Sequence, residues 1–370
     1  MYLSDVQDEH VWTRYMAVDK MRHYKQVLYS THDLKRFSIN GETFSRQAVE
    51  DENIFDIVDA LVLYQGGKDS TIQELVLESF VLSPVGWKSL SGALRKLFRL
   101  KKLFLREILV VPPSGFDDSR DHDDGIRLVE GLSGLVEACP NLEELHLVEC
   151  NLHPRACGFL SGDLFEGPSP RRPPSLRVLS LEGNPIGNEG VCLLAEAIRD
   201  NGSLVALDLD RVGCSGSGMA ALADALGDND CLESLSLVGN EIGGERGPLR
   251  DEDERDICPG EGRDAGDGAD ADKAGCPFCD LLARNTRLKR VRLFQTEASQ
   301  ISPPPPPVRE SFAHVDFLLR LNRRGRRYLG DADVIPKVFP LMLESASDDA
   351  DVIYSFLKSQ SGFTKYRSLQ

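Results

Sequence analysis

Long apolar runs are missing from this 370-residue chain: none approaches the ~18 residues of a membrane-spanning helix. An excess of positive charge is missing too. Forty-three lysines and arginines stand against 59 acids, a net charge of −16, so a phosphate backbone is not the expected partner. Nine cysteines are scattered without a framework spacing, which excludes a disulfide scaffold. The N-terminal "MYLSDVQDEHVW" lacks the charged-then-apolar pattern of an export signal. Reduced thiols in the cytoplasm are therefore expected, and the "NGS" acceptor pattern at Asn201 is expected to be inert. No serine–histidine–aspartate set and no helical HExxH occurs, and His146 is the only histidine on a repeat strand. Neither catalysis nor a cofactor is expected.

What the chain has is a period. The pair Leu179 and Leu181 recurs at Leu207 and Leu209 and at Leu235 and Leu237, each step 28 residues. Upstream the pair stands at Leu145 and Leu147, Leu103 and Leu105, and Leu75 and Leu77, with a weaker copy at Phe37 and Ile39. Downstream, Val291 and Leu293 lie two periods beyond Leu235. The 103-to-145 and 145-to-179 steps carry excesses of 14 and 6 residues. Three residues past the second leucine stand Cys150, Asn184 and Asn240, followed by Leu152, Ile186 and Ile242. A short strand should end there, the amide satisfying backbone groups at an inward bend, with the cysteine thiol doing so weakly. Asn184 therefore reads as a buried bracket and not as a catalytic amide.

A helix should follow each bend. Val191, Leu194, Ala195 and Ile198 recur as Met219, Leu222, Ala223 and Leu226, with Trp87, Leu90, Leu94 and Val129, Leu132, Val136 in the same slots. That spacing is one buried helix face. Gly202 and Gly227 are the expected helix stops. No strand–bend–helix unit can bury its apolar edge alone, so the units must stack.

The stretch "LRVLSLEGNPIGNEGVCLLAEAIRDNGSL" closely resembles the 28-residue leucine-rich repeat of the ribonuclease-inhibitor type, a family that includes the repeat regions of NOD-like receptors and of Ran GTPase-activating proteins. The resemblance covers about residues 70 to 295. It implies an α/β leucine-rich repeat solenoid, a curved horseshoe with parallel strands on the concave side and helices outside. "LLRLNRRGRRYL" and "DADVIYSFLKSQSGF" resemble the C-terminal segment of leucine-rich-repeat proteins from diatoms and related algae.

The organisation that follows is a helical N-terminal cap (1–34), the solenoid (35–298), a proline-rich linker (299–309) and a helical C-terminal cap (310–370). Val11, Tyr15, Val18, Met21 and Leu28 mark the first cap. Phe312, Val315, Leu318, Leu319 and Leu321, then Val352, Tyr354, Phe356 and Leu357, mark helices of the second. Insertions fall at 112–125, 166–175 and 243–275. The last holds eleven acids against five bases and few apolar residues, a composition that predicts disorder.

Five motifs invite a functional reading and fall short of it. "CPFC" at Cys276 and Cys279 has only Cys258 nearby and no histidine, where zinc needs four ligands; Cys276 also takes the helix-packing slot of Cys192. "DGADADKAG" starts like a calcium loop at Asp270 and Asp272, but Leu281 stands where the bidentate glutamate belongs. "QGGKDS" lacks the upstream glycine of a phosphate loop and has Asp69 after Lys68, so the ATPase of NOD-like receptors is not expected. "RRGRR" (323–327) reads as a cap edge or as a contact for the acidic insertion, with nuclear import as the alternative. The run "PPPPP" (303–307) reads as a spacer, with a ligand for a proline-binding domain as the alternative.

Side chains alternate along a strand. The neighbours of the inward leucines should face the open surface: Lys102, Phe104 and Arg106 early; Glu144, His146, Glu149, Ser180, Glu182, Asp208, Asp210, Ser236 and Val238 in the middle; Arg290, Arg292 and Phe294 late. This face is acidic in the middle and basic at both ends. It is expected to bind a partner protein with a basic central patch, with Phe104 and Phe294 as apolar anchors. A scaffold of this kind is the first reading. The alternative, implied by the resemblance, is a GTPase-activating regulator of a Ras-like small GTPase. No metal, nucleic-acid or membrane site is expected.

Overall fold

The computed structural model describes residues 23–24, 26–28, 34–41, 51–65, 71–111, 124–162, 176–240, 277–293, 306–330 and 335–359. One parallel sheet holds eight strands in chain order: β1 (Arg36–Asn40), β2 (Glu74–Leu82), β3 (Lys102–Val110), β4 (Glu144–Val148), β5 (Val178–Ser180), β6 (Ala206–Asp208), β7 (Ser234–Ser236) and β8 (Arg290–Arg292). Between them run α1 (Asp51–Gln65), α2 (Pro84–Leu94), α3 (Asp124–Leu132), α4 (Leu135–Ala138), α5 (Pro154–Ser161), α6 (Gly187–Arg199), α7 (Gly216–Asp228) and α8 (Pro277–Arg284). The sheet is open and its helices lie on one side, the α/β solenoid that the repeat implies. No described helix is long and apolar enough to cross a membrane.

The strand register is the leucine period in three dimensions. Phe37 pairs with Leu75, Leu75 with Leu103, Leu103 with Leu145, and so on to Leu235 with Val291. Leu75, Leu103, Leu145, Leu179 and Leu235 are fully buried, as are the helix positions Leu90, Leu194, Ile198, Leu222 and Leu226. Burial of one such side chain stabilises by roughly 1.5–3 kcal/mol; here the burying surface belongs to the neighbouring units.

The bends obey one rule. The residue four beyond the first leucine has positive φ in six consecutive units: Ser79 (57°), Glu107 (53°), Glu149 (54°), Gly183 (72°), Arg211 (55°) and Gly239 (79°). After it the units diverge. Asn184 is fully buried and donates to the carbonyls of Leu147 and Leu181 (both 2.7 Å) while accepting from the N–H groups of Cys150 (2.9 Å) and Leu152 (3.1 Å). Asn240 repeats the pattern on Leu209, Leu237, Val212 and Cys214. Cys150 fills the slot more weakly, its thiol 3.3–3.4 Å from the carbonyls of Val148 and Leu105. In the two earlier units the slot holds Phe80 and Ile108, which have no group to offer. There the strand does not end as expected: β2 and β3 continue, and Phe80–Leu82 pair with Ile108–Val110. Backbone pairing takes the place of the amide in these two units, whereas Val212 holds the slot after the short strand β6 and its N–H is taken by Asn240 of the next unit at 3.1 Å.

A second asparagine ladder closes the other end of the later units. Asn229 donates to the carbonyls of Ile198 (2.7 Å) and Asn201 (2.9 Å). Asn285 donates to those of Leu226 (2.6 Å) and Asn229 (3.0 Å), and Asn322 to those of Asn285 (3.0 Å) and Leu288 (2.8 Å). Asn201 is therefore structural: it is buried and accepts from the N–H of Ser203 and Leu204. Gly227 does not stop α7 but lies in its last turn; Asn229 takes the capping role. In the β4 unit Cys139 occupies the ladder position and its thiol meets the carbonyl of Leu94 at 3.3 Å.

The helix expected through Val129, Leu132 and Val136 is two. Gly134, at φ 72°, separates α3 from α4. One turn earlier, Gly131 leaves room for the ring of Trp87, since a Cβ there would stand 2.0 Å from the indole nitrogen. That nitrogen donates to the carbonyl of Leu128 at 3.1 Å, tying α2 to α3. Ser83 starts α2, its hydroxyl accepting the N–H of Val85 and Gly86 (3.1 Å each), with Pro84 at the first helical position.

The C-terminal helices are α9 (Pro306–Arg323), α10 (Ile335–Ser345) and α11 (Ala350–Ser359). Pro306 and Pro307 sit in the first turn of α9, so a helix begins inside the stretch read as a linker. Val315, Leu318, Leu319, Leu321, Val352 and Phe356 are buried, whereas Tyr354 is exposed. The side chains of Phe312 and Leu357 lie outside the described residues. At the other end Leu28 is buried, and Val11, Tyr15, Val18 and Met21 lie outside the described residues.

Candidate functional site

The open side of the sheet is built in rows. One row crosses the strands as Ser38, Val76, Phe104, His146, Ser180, Asp208, Ser236 and Arg292, each beside the next. A second runs Arg36, Glu74, Lys102, Glu144, Val178, Ala206, Ser234 and Arg290. Ten of the eleven candidate residues lie on this face or at its rim. Phe294 lies outside the described residues.

The early cations are already matched. Lys102 meets Glu144 at 2.8 Å, and Arg36 meets Glu74 at 3.2 Å. Arg106 lies 3.5 Å from Glu149 and 3.9 Å from Glu107. Phe104 lies flat on His146, ring centroids 4.1 Å apart and planes 11° from parallel. Burial pushes the His146 imidazole below its ordinary value, against the pull of the Glu144 carboxylate. The ring is therefore neutral at pH 7, an uncharged aromatic plate.

The acidic middle is less acidic than its side chains suggest. Arg211 reaches back from its bend to Glu182 (2.8 Å) and Glu149 (3.0 Å). Strand alternation could not reveal this, because residue 211 lies past the strand and its direction is set by a positive φ. Two acids keep no cation among the described residues. Asp210 accepts the hydroxyl of Ser236 (2.5 Å) and the N–H of Val238 (2.7 Å). Asp208 accepts the N–H of Asp210 (3.0 Å) and the hydroxyl of Ser180 (3.3 Å). Burial pushes the Asp208 carboxyl up to about 6, helped by the charges of Asp210 and Glu182 and opposed by the two donors. At the late end Arg290 and Arg292 are exposed and meet no acid among the described residues.

Between the His146 plate and these arginines lies a hollow of about 220 Å³, floored by Ser180, Ala206, Asp208, Ser234 and Ser236. Small side chains make the depression, and Asp208 is the acid in its floor.

Because the folded pKa of Asp208 lies above the ordinary 3.8, its ionised form opposes folding. That penalty is present above pH 6 and fades as pH falls through 6 towards 4. The side chain is only half-buried, so solvent screens part of the penalty. Asp208→Asn keeps an acceptor for the Asp210 N–H. It should raise Tm at pH 7.5 by about 2–4 °C, the size of ~1 kcal/mol in a large domain, and the gain should vanish by pH 4. Equal Tm differences at both pH values would contradict this.

Elsewhere the chemistry is structural. The arginines of "RRGRR" hold the C-terminal helices. Arg326 donates to the carbonyls of Leu282 (2.9 Å) and Ala283 (2.6 Å), capping α8. Arg324 pairs with Asp348 at 2.8 Å, and Arg323 reaches the carbonyl of Lys289 at 3.3 Å. Arg327 donates to the Tyr328 hydroxyl at 2.6 Å, beside a shallow groove shared with Thr286 and Arg287. Cys139, Cys150, Cys157, Cys192, Cys214 and Cys231 are free thiols. Burial pushes Cys139, Cys150, Cys157 and Cys214 up to about 12, so these four are unreactive at neutral pH. Among the described residues no group of three or more histidine, cysteine or acidic side chains could hold a metal ion. Cys258, Cys276, Asp270, Asp272, the side chain of Cys279 and residues 66–70 lie outside the described residues.

The family profile described as "Leucine Rich repeat" matches residues 172–195, the unit of β5 and α6. Human NACHT, LRR and PYD domains-containing protein 5 is 29% identical over 189 residues, covering 51% of this chain and 13% of that protein. Mouse ribonuclease inhibitor is 29% identical over 185 residues, covering 49% of this chain and 36% of that protein. The chain thus spans well under half the length of these relatives. A solved structure of the Leiomodin-1 Actin-Binding Site 2 is similar at 18% identity over 47% of this chain and 75% of that one, with a TM-score of 0.29. With one strand for each repeating unit, all eight parallel in chain order and helices returning between them, the fold is an α/β leucine-rich repeat solenoid, and its repeats are similar to those of the ribonuclease-inhibitor type.

Proposed function

We propose that this protein is a non-enzymatic interaction scaffold in the cytoplasm, taking a partner protein on the open face of its sheet. The observation that carries the reading is the uncovered stretch from β4 to β8, where polar rows surround a hollow and Asp208, Asp210, Arg290 and Arg292 have no ionic partner among the described residues. A stacked array presents a wide rigid surface, which suits protein recognition better than small-molecule chemistry. The mouse relative, a ribonuclease inhibitor by name, acts on a protein. A basic patch on the partner would face Glu182, Asp208 and Asp210.

The test is site-specific photo-crosslinking in the native cell, with the probe at Ser234 on the open face or at Glu196 on the outer face of α6. Crosslinks to one partner from position 234 and not from 196 are expected. Glu182→Lys with Asp208→Lys should cut capture about tenfold, as expected when buried-face charge complementarity is reversed. Asp210 is spared because it holds the Val238 N–H. Capture through position 196, or undiminished capture by the folded double variant, would overturn the reading. The GTPase-regulator alternative is separated by GTP hydrolysis against a panel of Ras-like GTPases. The scaffold reading expects unchanged rates, and acceleration of any one would replace it.

A further inference from the structure

The hollow between His146 and Arg292 is bipolar. Its floor carries Asp208 on β6, and its late wall carries Arg290 and Arg292 on β8, with only Ser234 and Ser236 on β7 between them. Elsewhere on this face each mapped acid–base contact is satisfied from within: Arg36 by Glu74, Lys102 by Glu144, Arg211 by Glu149 and Glu182. Here the guanidinium groups of Arg290 and Arg292 and the carboxylates of Asp208 and Asp210 have no ionic partner among the described residues, and Asp208 stands two strand spacings, about 10 Å, from Arg292. Among the described residues the arginines do not close onto Asp208, and the serines between them are too short to bridge.

Resting on the scaffold reading above, we propose that this hollow seats an extended segment of the partner protein carrying a lysine or arginine and, three residues away, an aspartate or glutamate. In the extended polyproline II conformation three residues make one full turn and rise about 9 Å, so the two side chains point the same way at a separation that matches the two poles. The basic side chain meets Asp208 between the hydroxyls of Ser180 and Ser236, and its aliphatic stem lies on the neutral plate of His146 backed by Phe104. The acidic side chain meets the guanidinium groups of Arg290 and Arg292, which offer forked donors to a carboxylate. A wholly basic partner would leave the two arginines facing cations, and a wholly acidic one would set a carboxylate on Asp208; both are disfavoured by like charge.

The elevated pKa of Asp208 supports this assignment, since a carboxyl held up to about 6 by burial and by Asp210 and Glu182 gains most from an arriving cation. The other charged groups facing it are Arg290 and Arg292 from β8; β7 contributes none, and His146 on β4 is neutral. Binding should therefore weaken below pH 6, by about tenfold at pH 5, where only ~10% of the carboxyl remains ionised before the ligand arrives.

The experiment uses the full chain and four capped hexapeptides: Gly-Lys-Gly-Gly-Asp-Gly, its arginine–glutamate counterpart, and the Lys/Lys and Asp/Asp controls. NMR titration at pH 7 reads the amides of Asp208, Ser236 and Arg292. The bipolar peptides should bind at least about fivefold more tightly than either control. Asp208→Asn, which keeps its acceptor, and the exposed pair Arg290→Gln with Arg292→Gln should each remove that preference. Equal binding of all four peptides, no binding at millimolar concentration, or a preference surviving both variants would overturn the proposal. So would closure of Arg292 onto Asp208, seen as a peptide-independent shift of Asp208 in the arginine variant. A partner still crosslinked at position 234 while the peptides fail would sink this assignment and leave the scaffold reading standing. Loss of the crosslink with the peptide preference intact would do the reverse.

Discussion

Asn184→Ala should lower the stability of the protein by about 3–5 kcal/mol, read as a fall in the urea midpoint. The side chain is fully buried and serves four buried backbone groups from two neighbouring units, two carbonyls at 2.7 Å and two N–H groups at 2.9 and 3.1 Å, with a longer fifth contact to the Glu182 carbonyl at 3.3 Å. Alanine leaves all four in a dry interior. Each unsatisfied group costs roughly 1–3 kcal/mol, though the costs do not add fully because the bend can relax. Asn184→Asp separates the donor from the acceptor role. A carboxylate still accepts from Cys150 and Leu152 but opposes the carbonyl oxygens of Leu147 and Leu181, so it should be at least as damaging as alanine. Asn184→Cys should be the mildest of the three, because Cys150 holds the same slot in the preceding unit with its thiol at 3.3–3.4 Å. An alanine variant within 1 kcal/mol of wild type would show that water enters the bend and replaces the amide.

Asn285→Ala should cost about 2–4 kcal/mol and should act unevenly along the chain. Asn285 donates to the carbonyls of Leu226 and Asn229, accepts from the N–H groups of Arg287 and Leu288, and offers its own carbonyl to Asn322. It is the rung that joins the last strand unit to α9. Stability in a stacked array is a sum of unit and neighbour contributions, so removing this rung should open the C-terminal end first. Hydrogen exchange should quicken through residues 287–293 and the helices α9 to α11, while amides of β2 and β3 keep their protection. Uniform loss of protection would mean that the array unfolds as one block and that the rung is not local.

The leucine spine was readable because it depends on nothing distant. Each pair alternates within its own strand, and eight strands stack in the register that the period demands, down to the weak copy at Phe37 and Ile39. The Asn184 bracket was readable for the same reason. The second ladder is equally periodic, with Asn201, Asn229 and Asn285 at multiples of 28, but its carbonyl partners lie one unit away and leave no local sign in the sequence. Gly227 misled in the opposite sense: a glycine near a helix end is a stop only if the chain turns left-handed there, and here Asn229 provides the end instead. The long strands β2 and β3 carry Phe80 and Ile108 in the asparagine slot, but Val212 holds the same slot after the short strand β6, so strand length depends on the neighbouring units as well as on that residue.

Sequence alone determined the unit, its length, its inward leucines and the set of residues lining the open face, because those follow from side-chain alternation and from a backbone that needs partners at every bend. Only the tertiary structure decided which of those residues remain available. Lys102 and Glu144 are 42 residues apart, and Glu149 and Arg211 are 62 apart, yet each pair closes to 3.0 Å or less. Charge pairing depends on rotamer reach, on the left-handed bend at Arg211 and on the lateral spacing of stacked strands, and none of these is local. The charges left without an ionic partner among the described residues, Asp208 facing Arg290 and Arg292 across a hollow of small residues, are therefore a property of the assembled sheet.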